Sequence, residues 1–177
     1  MKTNAGTKIR PDGKASFDDI YDGRTRAAYF SGVRPLQYLL PGHAQPMVRR
    51  CIEALRRRRG LETVTVLDLC AGYGINAALI RHDVTLQDLY ARFATQDARA
   101  AGAQRIPADS AWFQRRWRAT ARVRVIAQDV SRNALSYSQA VGLVDATIAA
   151  NLEERDPTPE QAALLRDADL ILVTGGL

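Results

Sequence analysis

Two acids and two glycines have the types and spacing to do chemistry. Asp68 stands inside the apolar run Val64 to Leu69, with Gly72 four residues on and Gly74 after it. A carboxylate buried in such a strand is expensive unless it is paired or hydrogen-bonded, so its position argues for a task at the strand's end. Gly72 and Gly74 can take positive φ and bring backbone N–H groups close to a ligand, and Ile75 to Ile80 resume as a helix starting at the same place. Asp129 ends a second apolar run that begins at Val123. A carboxylate at that tip can accept from both hydroxyls of a ribose. Together these residues suit the cradling of a nucleoside-type cofactor, although a glycine turn also suits a plain tight βα connection.

The elements that must position them follow from periodicity and turn chemistry. Residues 1–16 have the composition of a disordered lead-in. Phe17, Ile20 and Tyr21 sit at helical spacing, and Thr25 can cap a short second helix that carries Tyr29 and Phe30 and ends at Gly32. Leu39 to Pro46 is rich in breakers and predicts a link. Beyond it Met47, Val48, Cys51, Ile52 and Leu55 make one apolar helix face that runs to Gly60. His43 stands in that link, which would overhang the turn. It is a candidate general base or substrate contact, or else a loop histidine with a structural hydrogen bond.

Residues 83–121 exceed the roughly 2–6 residues of a simple connection and predict a helical insertion. Thr85 and Asp88 resemble a capping box opening Leu86 to Thr95; Pro107, Asp109 and Ser110 can start another helix. Trp112, Phe113 and Trp117 would share one side of it, with Arg115, Arg116 and Arg118 on the other. Aromatics so placed seat a helix on its domain or stack nucleobases. Val144 to Ala150 reads as a third strand, Thr158 and Gln161 as a second capping box, and Asp169 to Thr174 as a fourth strand.

Asp68-Leu69-Cys70-Ala71-Gly72-Tyr73-Gly74 resembles the first motif of class I S-adenosylmethionine (SAM) methyltransferases. Asp129-Val130-Ser131-Arg132-Asn133-Ala134-Leu135 resembles the segment that follows that family's second strand. Cys70 stands where the pattern has its first glycine. Covering residues 17–177, the resemblance implies an α/β fold: a Rossmann-like doubly wound parallel sheet, incomplete at about four strands, with a helical lid over 17–60 and the insertion at 83–121. It implies SAM as cofactor. Asp68 would engage the methionine ammonium directly or through water, Cys70, Ala71, Gly72 and Gly74 would pass close by backbone, and Asp129 with Val130 would hold the ribose side. Asn151 and Leu152 would border adenine, with Thr174 and Gly175 at the transfer end; Asn151 can equally cap or turn the chain. In the family's strand order 3-2-1-4-5-7-6 this chain supplies the first four strands. The fourth is therefore expected to be an apolar edge, covered by a partner chain or a second copy, or else the chain is a truncated piece.

Composition is that of a globular protein: 177 residues, 46% hydrophobic and 25% charged, with no apolar run near the ~18–20 residues of a membrane span. No secretory leader pattern opens the chain, so a cytoplasmic location is expected. Cys51 and Cys70 lack metal-ligand spacing, so reduced thiols and no metal are expected. The net charge of +6 is uneven: residues 1–127 hold 22 Lys+Arg against 11 Asp+Glu, and residues 128–177 hold 3 against 8. The arginine runs could face nucleic acid, yet Arg56 to Arg59 also sit where cations oppose a helix dipole. The expected function is SAM-dependent methyl transfer to a small-molecule acceptor. The alternatives are a non-catalytic SAM-binding or scaffold protein pairing through its open edge, an RNA methyltransferase, and an NAD enzyme. The NAD reading is weakened because Ala77 replaces the third glycine of that fingerprint.

Overall fold

The computed structural model describes residues 26–35, 37–93 and 105–175. The expected helix around Phe17 lies outside them. The described chain runs α1 (Arg26–Val33), α2 (Leu40–Arg59), β1 (Val64–Leu69), α3 (Ile75–Arg81), α4 (Leu86–Phe93), α5 (Ile106–Gln114), β2 (Val123–Asp129), α6 (Arg132–Ala140), β3 (Ala146–Ala149), α7 (Pro159–Arg166) and β4 (Leu170–Val173). The strands form one all-parallel sheet in the order β3-β2-β1-β4, a Rossmann-like α/β arrangement. Parallel pairing follows from the long helical crossovers between successive strands.

The two faces of the sheet are covered unequally. Val64, Val66, Val125, Ala127 and Leu172 point into the main core, where α1, α3, α4 and α6 add Phe30, Leu79, Leu89 and Leu135. Leu67, Ile126 and Ile148 point the other way, into a smaller cluster reached by Leu164 and Leu165 of α7. This alternation of sides is the period-2 pattern of the strands. With α7 on the opposite face, strand addition proceeds from β1 to β2 and β3 and then reverses to β4, which leaves a switch point at the C-terminal ends of β1 and β4. On β4, Ile171 remains 61% exposed.

Local signals explain several boundaries. Thr85 and Asp88 form their capping box, with Asp88 N–H donating to Thr85 Oγ1 at 3.1 Å and Thr85 N–H to Asp88 Oδ2 at 2.8 Å. Thr158 and Gln161 do the same for α7. The link predicted over Leu39 to Pro46 is instead helix from its second residue on. The helix begins at Leu40 and carries Pro46 inside it. Tertiary bonds hold this first part: Gln45 Nε2 donates to Leu79 O and Val84 O, and Arg49 to Leu79 O and His82 O. Trp117 likewise leaves the helix assigned to it. α5 stops at Gln114, and Trp117 instead forms an antiparallel bridge with His82, with the Arg81 guanidinium 4.6 Å from its ring centroid. Among the described residues, no helix is long and apolar enough to cross a membrane.

Candidate functional site

Three strand tips lie side by side at the switch point. In the register Asp68 pairs with Ala127 on one side and Leu172 on the other, so Cys70, Asp129 and Thr174 follow at one level beyond the ladder. The turn is left-handed at three positions: Cys70 at φ +54°, Gly72 at +53° and Gly74 at +79°. At Cys70 that conformation costs an L-residue roughly 1 kcal/mol, which accounts for the glycine in the pattern it resembles. Gly74 has a second reason to lack a side chain, since a Cβ there would stand 3.2 Å from both Leu143 Cδ1 and Ser138 Cβ.

Asp129 braces this turn. Its Oδ2 accepts from Gly72 N–H at 2.8 Å and its Oδ1 from Ser131 N–H at 2.8 Å. These bonds use one lone pair on each oxygen and leave the others for further donors. Gln128 joins the same floor: its Oε1 accepts from Cys70 N–H at 3.5 Å, and its Nε2 donates to Ala150 O at 2.6 Å. β1, β2 and β3 are thereby tied at their C-terminal ends. Val130 is exposed beside Asp129, and Asn151 Oδ1 accepts from Glu153 N–H at 3.1 Å in an Asx turn beside half-buried Leu152.

Asp68 has no solvent exposure. Its Oδ1 accepts from Asn76 Nδ2 at 2.7 Å, while among the described residues no partner reaches its buried Oδ2. Burial, opposed by the Asn76 hydrogen bond and helped by the charge of Asp129, pushes this carboxyl up to about 7. Asn76 continues the network: its Nδ2 donates to Thr174 Oγ1 at 3.0 Å, and Thr174 Oγ1 lies 3.2 Å from Asn76 Oδ1. Tyr38 closes the row, its hydroxyl 3.2 Å from Thr174 O and 3.3 Å from Thr174 Oγ1. Tyr90 fixes that end by donating to Tyr38 O at 2.8 Å. Gly175 admits the phenol, because a Cβ there would meet Tyr38 Oη at 3.0 Å.

The electrostatics restrict the available chemistry. Burial first and the acidic field of Asp129, Asp68 and Glu153 next raise the Cys70 thiol, so it is no ready thiolate nucleophile. Burial also raises Tyr38, which stays a phenol and a donor. What remains is a buried acid poised near neutrality, with a free oxygen, beside a left-handed turn and a second acid. That set suits a cationic, hydroxyl-bearing ligand.

The predicted residues Asp68, Cys70, Ala71, Gly72, Gly74, Asp129 and Thr174 thus converge on one place. His43 does not join their network. It is exposed in the first turn of α2 and lines a separate concavity of about 330 Å³ with Leu39, Thr85, Leu86 and Tyr90. Asn76 and Gln128 were missed by sequence reasoning, and Tyr38 fell within the expected lid with no role of its own assigned. A signal for Asn76 existed: it is an amide within the otherwise apolar start of α3, where an unpaired polar group is costly. Compared with protein-family models, with curated proteins and with solved structures, the chain matches none.

Proposed function

We propose that this chain binds S-adenosylmethionine at the β1 turn and serves methyl transfer to a small-molecule acceptor. The observation that carries the reading is the pair of acids at adjacent strand tips, Asp68 and Asp129, on either side of a turn that is left-handed at Cys70, Gly72 and Gly74. The orphaned Asp68 Oδ2 fits an ammonium, met directly or through water, and Asp129 retains acceptor capacity for ribose hydroxyls. Bound SAM supplies an electrophilic sulfonium methyl. The chain's own part is then alignment. Asp68 and Asp129 would hold the two ends of the cofactor, and Gly72 and Gly74 would let the backbone approach it. Asn151 and Leu152 would border the base. Tyr38 and Thr174 would edge the transfer end, and the Tyr38 hydroxyl is better placed than His43 to touch an acceptor.

The test is calorimetric titration with S-adenosylhomocysteine, with NAD as control and Asp68→Asn as the variant that keeps the side chain's shape. Saturable binding that the variant loses supports the reading, and equal affinity for NAD sinks it. A second reading is favoured by exposed Ile171 on β4: a SAM-binding protein without turnover that pairs through that edge. Cofactor binding together with concentration-dependent self-association, and no methyl release to any acceptor tried, would select it.

A further inference from the structure

The opposite end of the sheet carries a second concave site of different character. A cavity of about 450 Å³ opens where β1 and β2 begin, lined by Arg49, Glu53 and Arg56 of α2 and by Arg118, Thr120 and Arg122 of the segment leading into β2. Along β2 the cavity's Val123 and Asp129 stand six residues apart, about 20 Å. Four arginines thus line one hollow. Their counter-charges are unevenly supplied. Glu53 is taken by Arg56, in a two-pronged pair at 3.0 and 3.1 Å, and Arg122 has only a loose, exposed contact with Glu62 at 3.8 Å.

Arg49 and Arg118 have no carboxylate at ion-pair distance among the described residues. Arg49 donates through Nε and Nη2 to Leu79 O and His82 O, and Arg118 donates through Nη1 to Ile80 O at 3.3 Å. These carbonyls belong to the C-terminal end of α3, whose dipole favours cations. They offset part of the charge and use part of each fork: a guanidinium has five N–H donors. The two cations also sit close enough that Arg118 disfavours the charge on Arg49, after the larger effect of burial, and the Asp83 carboxylate offsets this only in part. A plain cap for α3 needs one cation, whereas a hollow edged by four with a single firmly paired acid is under-neutralised.

We propose that this cavity is a binding site for a small ligand bearing a phosphate or pyrophosphate group, held by Arg49, Arg118 and Arg122 with Thr120 at its mouth. Arginine forks match phosphate oxygens two at a time, and the volume lies in the range of small-molecule sites. The walls come from two elements that face each other, α2 and the segment 118–123, which suits a compact anion better than an extended polymer. The site is independent of the β1 turn and does not rest on the methyl-transfer reading.

The experiment titrates the full chain with inorganic pyrophosphate at low ionic strength. Three variants of equal charge change are compared: Arg118→Gln and Arg122→Gln within the cavity, and Arg58→Gln, an exposed α2 position outside its lining. Arg122 is the safeguard, since among the described residues its side chain makes only the loose Glu62 contact, so the variant is expected to fold. Circular dichroism confirms folding of each. Saturable binding by the wild type is expected, weakened about tenfold or more by each cavity variant, the scale of one charge-assisted hydrogen bond, and within about twofold of wild type for Arg58→Gln. Absence of saturable binding by the folded wild type overturns the proposal. So do equal losses in all three variants, or a short single-stranded oligonucleotide bound tightly and weakened as much by Arg58→Gln, since either means diffuse charge attraction.

Discussion

Asp68 and His82 make opposite demands on pH, and their cancellation can be dissected. Asp68 moves from 3.8 to about 7 on folding, mainly through burial. Its folded pKa lies above the unfolded one, so the folded state keeps a proton that the unfolded chain has released. The resulting penalty is absent below about pH 4, grows by about 1.4 kcal/mol per pH unit, and is complete at roughly 4 kcal/mol above pH 7. His82 moves the other way, from 6.5 to about 4, through burial and then the charge of Arg81, with its ring against Phe113 and Trp117. There the unfolded chain binds the proton that the folded state refuses. Stability therefore rises between pH 4 and 6.5 by up to about 3 kcal/mol. The two slopes nearly cancel in the wild type. Asp68→Asn should unmask the histidine: urea unfolding, followed by circular dichroism, should give a stability that climbs by about 3 kcal/mol from pH 4 to 6.5. The same variant should exceed wild type at pH 8 by about 1–3 kcal/mol, the removed penalty less the cost of an unpaired amide N–H. His82→Leu should unmask the aspartate and give a decline over the same range. Asp88, lowered by its bonds from Thr85, titrates below this window and does not blur it. An Asp68→Asn profile parallel to that of the wild type from pH 4 to 7 would refute the reasoning.

Three further substitutions probe the frame around the turn. Gly74→Ala combines a left-handed φ with contacts at 3.2 Å to Leu143 and Ser138, whereas Gly142→Ala shares the φ (+81°) with nothing within 4 Å; unfolding free energies from denaturant titration should fall by about 2–3 and about 1 kcal/mol respectively. Arg81→Met removes a buried guanidinium that donates to Leu143 O at 2.8 Å and pairs with Asp145 at 3.0 Å. A loss of about 2–4 kcal/mol is expected, of which 0.5 M salt (~4 Å screening length) should remove only the part owed to exposed Asp145, since the bond from the buried guanidinium to Leu143 O is poorly screened.

The sheet was legible because its strands announce themselves: Val64 to Leu69 and Val123 to Asp129 are apolar runs with an acid in the last two positions, and their parallel pairing follows from the long crossovers between them. Capping boxes at Thr85 and Thr158 were equally legible, since their chemistry is local. What escaped depends on contacts distant in sequence. The first turns of α2 look like a breaker-rich link until Gln45 and Arg49 find the carbonyls of α3's end. Trp117 keeps helical spacing but is captured by His82 and Arg81. Tyr38 acquires meaning only because Gly175, at the far end of the chain, leaves room for its ring. Within the site, the acids and glycines could be picked out by type, whereas Asn76 and Gln128 act through bonds made across neighbouring strands.

The central claim is tested most directly by titrating the chain with S-adenosylhomocysteine at pH 6 and at pH 8. A ligand ammonium that depends on ionised Asp68, whose carboxyl sits at about 7, should bind about tenfold more tightly at the higher pH, and Asp68→Asn should bind weakly and alike at both. Absence of binding to the folded chain, or an affinity indifferent to pH and to Asp68→Asn, would contradict the account.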